Sequence, residues 1–232
     1  MGVRRGRFAD VNSLLHALQP LFAVAFTVLG APFTWLELVA FVLAVAMVVF
    51  NIRVNPLGWP LAIVSSLLYF ALFWSSRLYG DASLQIFFAA VALWGWWQWL
   101  RGTQADGGAL RVRTLGPRGR TLIVLVLAAA WPATGLFLKR YTDTDVPWWD
   151  AFPTAASVIG QWLLGRKYLE NWVAWIVVNI VSVGLFAYKG LWLTVVLYTI
   201  FVAMSVVGWR AWRRLLGATS AAAAAARTPH AA

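Results

Sequence analysis

The sequence predicts an integral membrane protein built from α-helices, and two observations carry this prediction. Of the 232 residues, 62% are hydrophobic and only 12% are charged, whereas a soluble domain is about 45–50% apolar and about 25% charged. The apolar residues also fall in runs of about 20, the length that a helix needs to cross a bilayer. With a mean hydropathy of +0.73, the chain lacks the polar surface that would cover a particle in water.

Eight apolar segments are candidate membrane spans. The first is the weakest, because His16, Gln19 and Pro20 interrupt it, and the sequence leaves open whether this extra N-terminal helix crosses the membrane. In chain order the segments are 13–30, 34–51, 59–76, 82–100, 120–138, 148–165, 171–188 and 191–210.

Lysine and arginine orient the predicted bundle, because cytoplasmic loops carry an excess of them. The stretch 101–120 holds five arginines and is predicted to be cytoplasmic. Counting from it, the loops at Arg53 and Arg166 and the C terminus fall on the same side, while the acidic stretch 141–150 falls outside. The basic cytoplasmic loops of a membrane protein therefore explain the net charge of +11, and nucleic-acid binding is not expected.

An internal repeat predicts the arrangement of the helices. Residues 53–101 align without a gap with residues 166–214, and both blocks end in the pattern G-W-x-x-W-x-R. Because the aligned arginines lie on one side, the halves form a parallel repeat, a 3+1+3 bundle in which segment 120–138 is the linker. The predicted organisation is a basic N-terminal segment with a helix (1–33), a first three-helix repeat (34–101), a basic cytoplasmic loop with the linker helix (102–147), a second three-helix repeat (148–214) and a disordered tail (215–232).

One helix face carries the candidate site. At 3.6 residues per turn, Trp172, Trp175 and Asn179 lie within about 60° of one another, and polar side chains at this depth normally face the bundle interior. The alternative is that Asn179 only hydrogen-bonds a neighbouring helix. In the repeat, Asn179 aligns with Ser66. A few amides, hydroxyls and indoles within apolar walls are typical of a small-molecule site. The predicted substrate-binding residues are Trp172, Trp175, Asn179, Gln85, Ser66, Tyr69, Trp59 and Tyr198.

The sequence lacks the residues that catalysis or metal binding would need. The chain has no cysteine and two histidines, His16 and His230, so no Ser–His–Asp, Cys–His or metal-ligand cluster can be assembled. No charged residue falls in the middle third of a predicted span, where ion-coupled carriers commonly hold carboxylates. We expect no enzyme activity, no metal and no cofactor, and the remaining role is a carrier without its own energy input.

The segment W-x-x-W-x-x-x-N, formed by Trp172, Trp175 and Asn179, together with the repeat, resembles the PnuC family of bacterial nicotinamide riboside transporters over about residues 34–214. The resemblance implies a SWEET-like fold in the bacterial inner membrane. It also implies uptake of nicotinamide riboside by facilitated diffusion, with cytoplasmic phosphorylation trapping the product. The first repeat has Ala62 and Ser66 where the second has Trp175 and Asn179, which implies an asymmetric site.

Several alternatives stay open at the level of sequence. The same fold could carry another vitamin, such as thiamine or riboflavin, or a sugar, because stacking tryptophans suit any flat ring. A membrane scaffold that transports nothing would use Asn179 only for helix packing. The sequence also leaves open whether the chain forms a homo-oligomer, and which of Gln85, Gln98 and Gln161 contacts the substrate.

Overall fold

Seven α-helices make up most of the residues described by the computed structural model, which are 19–28, 31–75, 79–104, 107–142, 144–190 and 192–225. The all-helical architecture predicted from the sequence is confirmed, apart from a short hairpin that precedes the first helix. By length and composition, four of these helices could cross a membrane: α1, α4, α6 and the part of α7 from Thr194 to Thr219. The helices are α1 (Trp35–Ile52), α2 (Gly58–Ser75), α3 (Tyr79–Arg101), α4 (Pro117–Tyr141), α5 (Pro147–Gly165), α6 (Glu170–Tyr188) and α7 (Trp192–Ala225).

The segment before α1 differs from the prediction of an N-terminal helix. A 3-10 helix spans Gln19–Phe22, and two antiparallel strands follow, β1 (Val24–Val28) and β2 (Ala31–Thr34). A spanning helix over 13–30 is therefore wrong for residues 23–28, and only the short 3-10 helix forms at 19–22, while 13–18 and 29–30 lie outside the described residues. Pro20 has no N–H for a helix interior, and the β-branched and aromatic residues after it favour a strand.

The helix ends follow familiar capping chemistry. At the start of α1, the backbone N–H and hydroxyl of Thr34 donate to Glu37 Oε2 at 2.8 and 2.9 Å, and the Glu37 N–H donates back at 3.2 Å. This is a capping box, which satisfies the donors that the first turn leaves unpaired. Helices α4 and α5 begin with Pro117 and Pro147, where the missing proline N–H costs nothing.

The described residues form two compact units. The first comprises the described residues up to Phe50 and those within Leu57–Leu93, and the second comprises Asn51–Pro56 and the described residues from Trp94 onward. In the first unit, the Ser65 hydroxyl on α2 donates to the Ala40 carbonyl on α1 at 3.2 Å. A serine therefore satisfies its hydroxyl across a close helix–helix contact.

In the second unit, helices α4 to α7 pack in chain order, each against the next. Its core contains Leu163, Trp172 and Trp212, which are all at most 2% exposed. Helix α4 contributes little to that core, since only Gly135 is buried on it. Its outer apolar side chains, such as Val124 at 65% exposure, suit a helix surrounded by lipid.

The helix boundaries agree with the internal repeat. In the register that aligns residues 53–101 with 166–214, the last residue of α1, Ile52, corresponds to the last residue of α5, Gly165. Val54 and Lys167 correspond as well, and both adopt a left-handed backbone, with φ of 54° and 55°. Two further boundaries match, the helix ends Ser75 and Tyr188 and the helix starts Tyr79 and Trp192.

Helix α7 also extends further than predicted. It continues to Ala225, so the expectation of disorder is wrong for residues 215–225, and residues 226–232 lie outside the described part. Alanine has the highest intrinsic helix propensity, and the alanine-rich run after Ser220 therefore prolongs the helix.

Candidate functional site

Asn179 lies buried on α6 with its amide fixed by α7. Its Nδ2 donates to the Ser205 hydroxyl at 3.3 Å, and that hydroxyl donates to the Phe201 carbonyl at 2.7 Å. Ser205 is itself 3% exposed. The described residues provide no donor for Asn179 Oδ1, so the amide is held by one end and keeps its acceptor free.

Trp175 lies one turn before Asn179 on α6 and rests against a glycine of α5. A Cβ added at Gly160 would lie 3.3 Å from Trp175 Cε2 and 3.5 Å from its Nε1. The absence of a side chain at Gly160 therefore lets the indole lie close to the α5 backbone. Trp175 is only half-buried, so part of its indole stays accessible.

Gln161 follows Gly160 on α5 and supplies a second amide. Its Oε1 is buried and accepts no hydrogen bond from the described residues. A buried polar atom without a partner costs about 1–3 kcal/mol, and such an atom in a native structure calls for an explanation. From the sequence, an amide in an apolar helix is the only signal for Gln161, and that signal does not separate packing from binding.

Trp172 is the most enclosed of the predicted site residues on α6. It is 2% exposed, and a Cβ at Gly208 would lie 2.6 Å from three of its ring atoms. Its ring meets Trp212 edge-on, with ring centroids 5.6 Å apart. In this conformation Trp172 is covered by α7, and its contact with substrate stays a prediction.

Tyr198 completes the predicted residues of the second unit. Its ring lies 5.0 Å from that of Phe186 on α6 and 6.0 Å from that of Phe201 on α7. The structure thus brings Tyr198 to the α6–α7 contact, which also holds Asn179 and Ser205.

Four predicted residues belong to the first unit. Trp59 is 1% exposed at the start of α2, Ser66 and Tyr69 are half-buried further along α2, and Gln85 is half-buried on α3. Their role in substrate binding stays a prediction.

Charged residues anchor both ends of α6. At its start, Glu170 accepts the Leu115 N–H at 3.1 Å and pairs with Arg120 at 3.1 Å. At its end, Lys189 lies 3.6 Å from both Asp145 and Asp150. The helix that carries Trp175 and Asn179 is therefore tied to α4 and α5 and to the loops that precede them.

A buried lysine lies in the loop between α5 and α6. Lys167 is 9% exposed, and its ammonium donates to the Leu110 carbonyl at 3.0 Å and lies 4.9 Å from the centre of the Trp99 ring. Burial lowers the pKa of Lys167 below its ordinary value, because desolvation disfavours the charged form.

A shallow cavity of about 420 Å³ in the second unit is lined by Trp131, Trp148, Trp149, Phe152 and Val181. Its lining is apolar, whereas a solute site needs a few placed polar groups, so Asn179 and Gln161 mark the better candidate. Within the described part of the chain, no group of three or more His, Cys, Asp or Glu residues could hold a metal ion.

The chain is similar to known vitamin transporters. A family model described as "Nicotinamide mononucleotide transporter" matches residues 34–214. The riboflavin/roseoflavin transporter RibM of Streptomyces davaonensis is 30% identical over 190 residues, which cover 81% of this chain and 89% of that protein.

Two PnuC proteins are similar as well. The nicotinamide riboside transporter PnuC of Escherichia coli is 24% identical over 207 residues, which cover 79% of this chain and 87% of that protein. A crystal structure of the vitamin B3 transporter PnuC matches with a TM-score of 0.66, 22% identity and 92% coverage of both chains. At that identity the structural likeness shows the fold.

Proposed function

The chain belongs to the nicotinamide mononucleotide transporter family, which includes the PnuC proteins, and we propose that it carries nicotinamide riboside across the bacterial inner membrane by facilitated diffusion. The coarser statement holds without the proposal: the chain is a multi-pass membrane protein from a family of vitamin transporters. The specific cargo, the energy-free mechanism and the trapping of the product by cytoplasmic phosphorylation are the proposed parts.

One observation carries the choice of ligand chemistry. Asn179 on α6 and Gln161 on α5 each present an amide oxygen that accepts no hydrogen bond from the described residues, and the half-exposed Trp175 indole lies against the residue next to Gln161. Such a site suits a flat ring whose substituents donate N–H or O–H groups. A carboxamide and a ribose supply those donors.

The positive charge of the nicotinamide riboside ring fits the same groups. A cation over an indole face gains about 2 kcal/mol or more when desolvated, and amide oxygens directed at it add a favourable dipole. A fixed carboxylate is not needed to hold a delocalised cation, which favours its release. We assign stacking to Trp175 and hydrogen bonding to Asn179 and Gln161. The further proposed contacts are Trp172, Tyr198, Trp59, Ser66, Tyr69 and Gln85.

Riboflavin is the second candidate, and a specific observation favours it: the 30% identity to the riboflavin/roseoflavin transporter RibM. Its neutral ring stacks on indole, and its ribityl hydroxyls donate hydrogen bonds, so the same three residues would serve. Nicotinamide riboside carries a positive charge, whereas the riboflavin ring is neutral. Competition between the two for binding therefore shows whether the site prefers a cation or a large flat ring.

The test is equilibrium binding of nicotinamide riboside, riboflavin and thiamine to purified protein in detergent. We expect saturable binding of the riboside, weakened about tenfold or more by Trp175→Ala and by Asn179→Ala. Trp192→Ala is the matched control, because Trp192 is 60% exposed at the start of α7. Binding of riboflavin alone would change the cargo, and no binding by well-folded protein would favour the scaffold interpretation.

Gln161→Leu gives a sharper signature. Replacing an unpaired buried amide with an apolar side chain of similar size is expected to raise the unfolding temperature, while removing the ligand's acceptor weakens binding. If Gln161 only packs between helices, the substitution leaves the affinity for the vitamin unchanged.

A further inference from the structure

Two tryptophans at equivalent positions of the repeat make reciprocal hydrogen bonds. The Trp99 indole on α3 donates to the Leu164 carbonyl near the end of α5 at 3.0 Å. The Trp212 indole on α7 donates to the carbonyls of Asn51 and Ile52 at the end of α1, both at 3.2 Å. In the repeat register Trp99 corresponds to Trp212, and Asn51 corresponds to Leu164. Each repeat therefore closes its last helix on the first helix of the other.

The two indoles also contact each other. Their ring centroids are 6.2 Å apart at an interplanar angle of 46°, and they are 8% and 0% exposed. We call this pair, Trp99 and Trp212, the indole brace. Trp212 meets the ring of Trp172 edge-on at 5.6 Å, so the brace contacts the helix that carries Trp175 and Asn179.

Around the brace, polar atoms are buried without partners. Asn51 Oδ1, Asn171 Oδ1 and Trp172 Nε1 have no hydrogen bond among the described residues, although Asn51 and Asn171 are 4% and 0% exposed. Each such atom loses hydration in this conformation and would regain it if the helices parted. The closed arrangement thus combines favourable indole bonds with a desolvation cost, which lowers the free-energy cost of separating the helices.

We propose that the indole brace is the gate at the end of the bundle that carries Arg53 and Arg166, the predicted cytoplasmic end, and that it is closed in this structure. This inference rests on the proposed function, because alternating access needs an element with two arrangements. Opening breaks both indole bonds and admits water to Asn51 and Asn171. Contact through Trp172 allows occupancy of the site to bias the gate.

A single cysteine reports the opening, since the natural chain contains none. Leu164→Cys places a thiol at a side chain that is 5% exposed beside the brace, and its labelling by a maleimide follows the open population when opening is fast. We expect slow labelling in this variant, and about a fivefold or greater increase when Trp99→Phe or Trp212→Phe removes one indole N–H.

The matched control is Trp97→Phe, which changes an indole that is 54% exposed on the same helix and should leave labelling unchanged. Riboside or riboflavin binding is measured on the same proteins. Faster labelling with the affinity kept within threefold supports a gate. Unchanged labelling overturns the proposal, and so does faster labelling that comes with lost affinity and a lower unfolding temperature, because the brace would then only hold the fold.

The outcomes separate the two proposals. Labelling needs no ligand, so the effect of the indole substitutions on labelling is measured even if no vitamin binds. Failure of every vitamin to bind would overturn the proposed function. If one of the two substitutions yields unfolded protein, the other removes the reciprocal bond and provides the same test.

Discussion

Gly208→Ala tests the contact between α6 and α7 that positions Trp172. The new Cβ would lie 2.6 Å from Cε2, Cε3 and Cη2 of the indole, whereas carbon atoms pack best at about 3.5–4.0 Å. The ring would have to move by about 1 Å, although Trp212 covers its edge. Overpacking of this kind costs about 1–3 kcal/mol, against a gain of about 1 kcal/mol from replacing glycine inside a helix.

We therefore expect a net loss of up to about 2 kcal/mol for Gly208→Ala. The matched control is Gly217→Ala on the same helix, where an added Cβ meets nothing within 4 Å and where up to about 1 kcal/mol is gained. The gain from replacing glycine is common to both variants, so they differ by the overpacking cost of about 1–3 kcal/mol. At roughly 2–4 °C per kcal/mol for a chain of this size, Gly208→Ala should unfold about 2–12 °C below Gly217→Ala. Thermal unfolding in detergent measures the difference, and equal stabilisation by both substitutions would refute the placement of Trp172 on Gly208.

Three further predictions follow from the contacts of α6 and its loops. Ser205→Ala removes the acceptor of Asn179 Nδ2 and should weaken vitamin binding about tenfold in the equilibrium assay, while unchanged affinity would assign this contact to packing. Glu170→Gln breaks a pair in which the Arg120 side chain is 59% exposed, so its cost should stay below about 1 kcal/mol and shrink with added salt in thermal unfolding. Burial lowers the pKa of folded Lys167, so the unfolded chain binds that proton more tightly. The free energy of unfolding should therefore rise with pH between the lowered pKa and about 10.4, compared with Lys167→Arg, which stays charged. Parallel pH profiles of the unfolding temperatures of the two proteins would contradict this.

Helix positions were predictable because the bilayer imposes a strong constraint on sequence. The predicted spans 59–76 and 171–188 correspond to α2 (Gly58–Ser75) and α6 (Glu170–Tyr188), each within one residue at either end. A spanning segment must satisfy its backbone internally and expose apolar side chains to lipid, so the apolar run and the helix coincide. Predictions at both termini were less successful. Near the N terminus an apolar stretch forms a hairpin, and near the C terminus an alanine-rich stretch prolongs α7.

The candidate site was predictable only in part. Helical spacing brought Trp172, Trp175 and Asn179 to one face, and the structure shows Asn179 buried on α6 and held by Ser205. Spacing alone cannot show that Ser205 occupies one end of that amide or that Gln161 has an unpaired oxygen. Those facts depend on which helix neighbours which, and packing between helices is decided by shape.

Glycines supply much of that shape in the second unit. The indoles of Trp172 and Trp175 each rest where a glycine of a neighbouring helix leaves room, Gly208 on α7 and Gly160 on α5. Small residues allow helices to approach closely in a membrane, and here they also orient flat side chains.

The spacing of the W-x-x-W-x-x-x-N segment then has a physical account. Trp172 packs against Trp212 of the indole brace, and Trp175, one turn further on, lies against Gly160 of α5. Asn179 follows after another turn and keeps a free acceptor. A single helix face therefore links the proposed gate to the proposed site, so a ligand that moves Trp175 acts on a rigid element whose other end touches the brace.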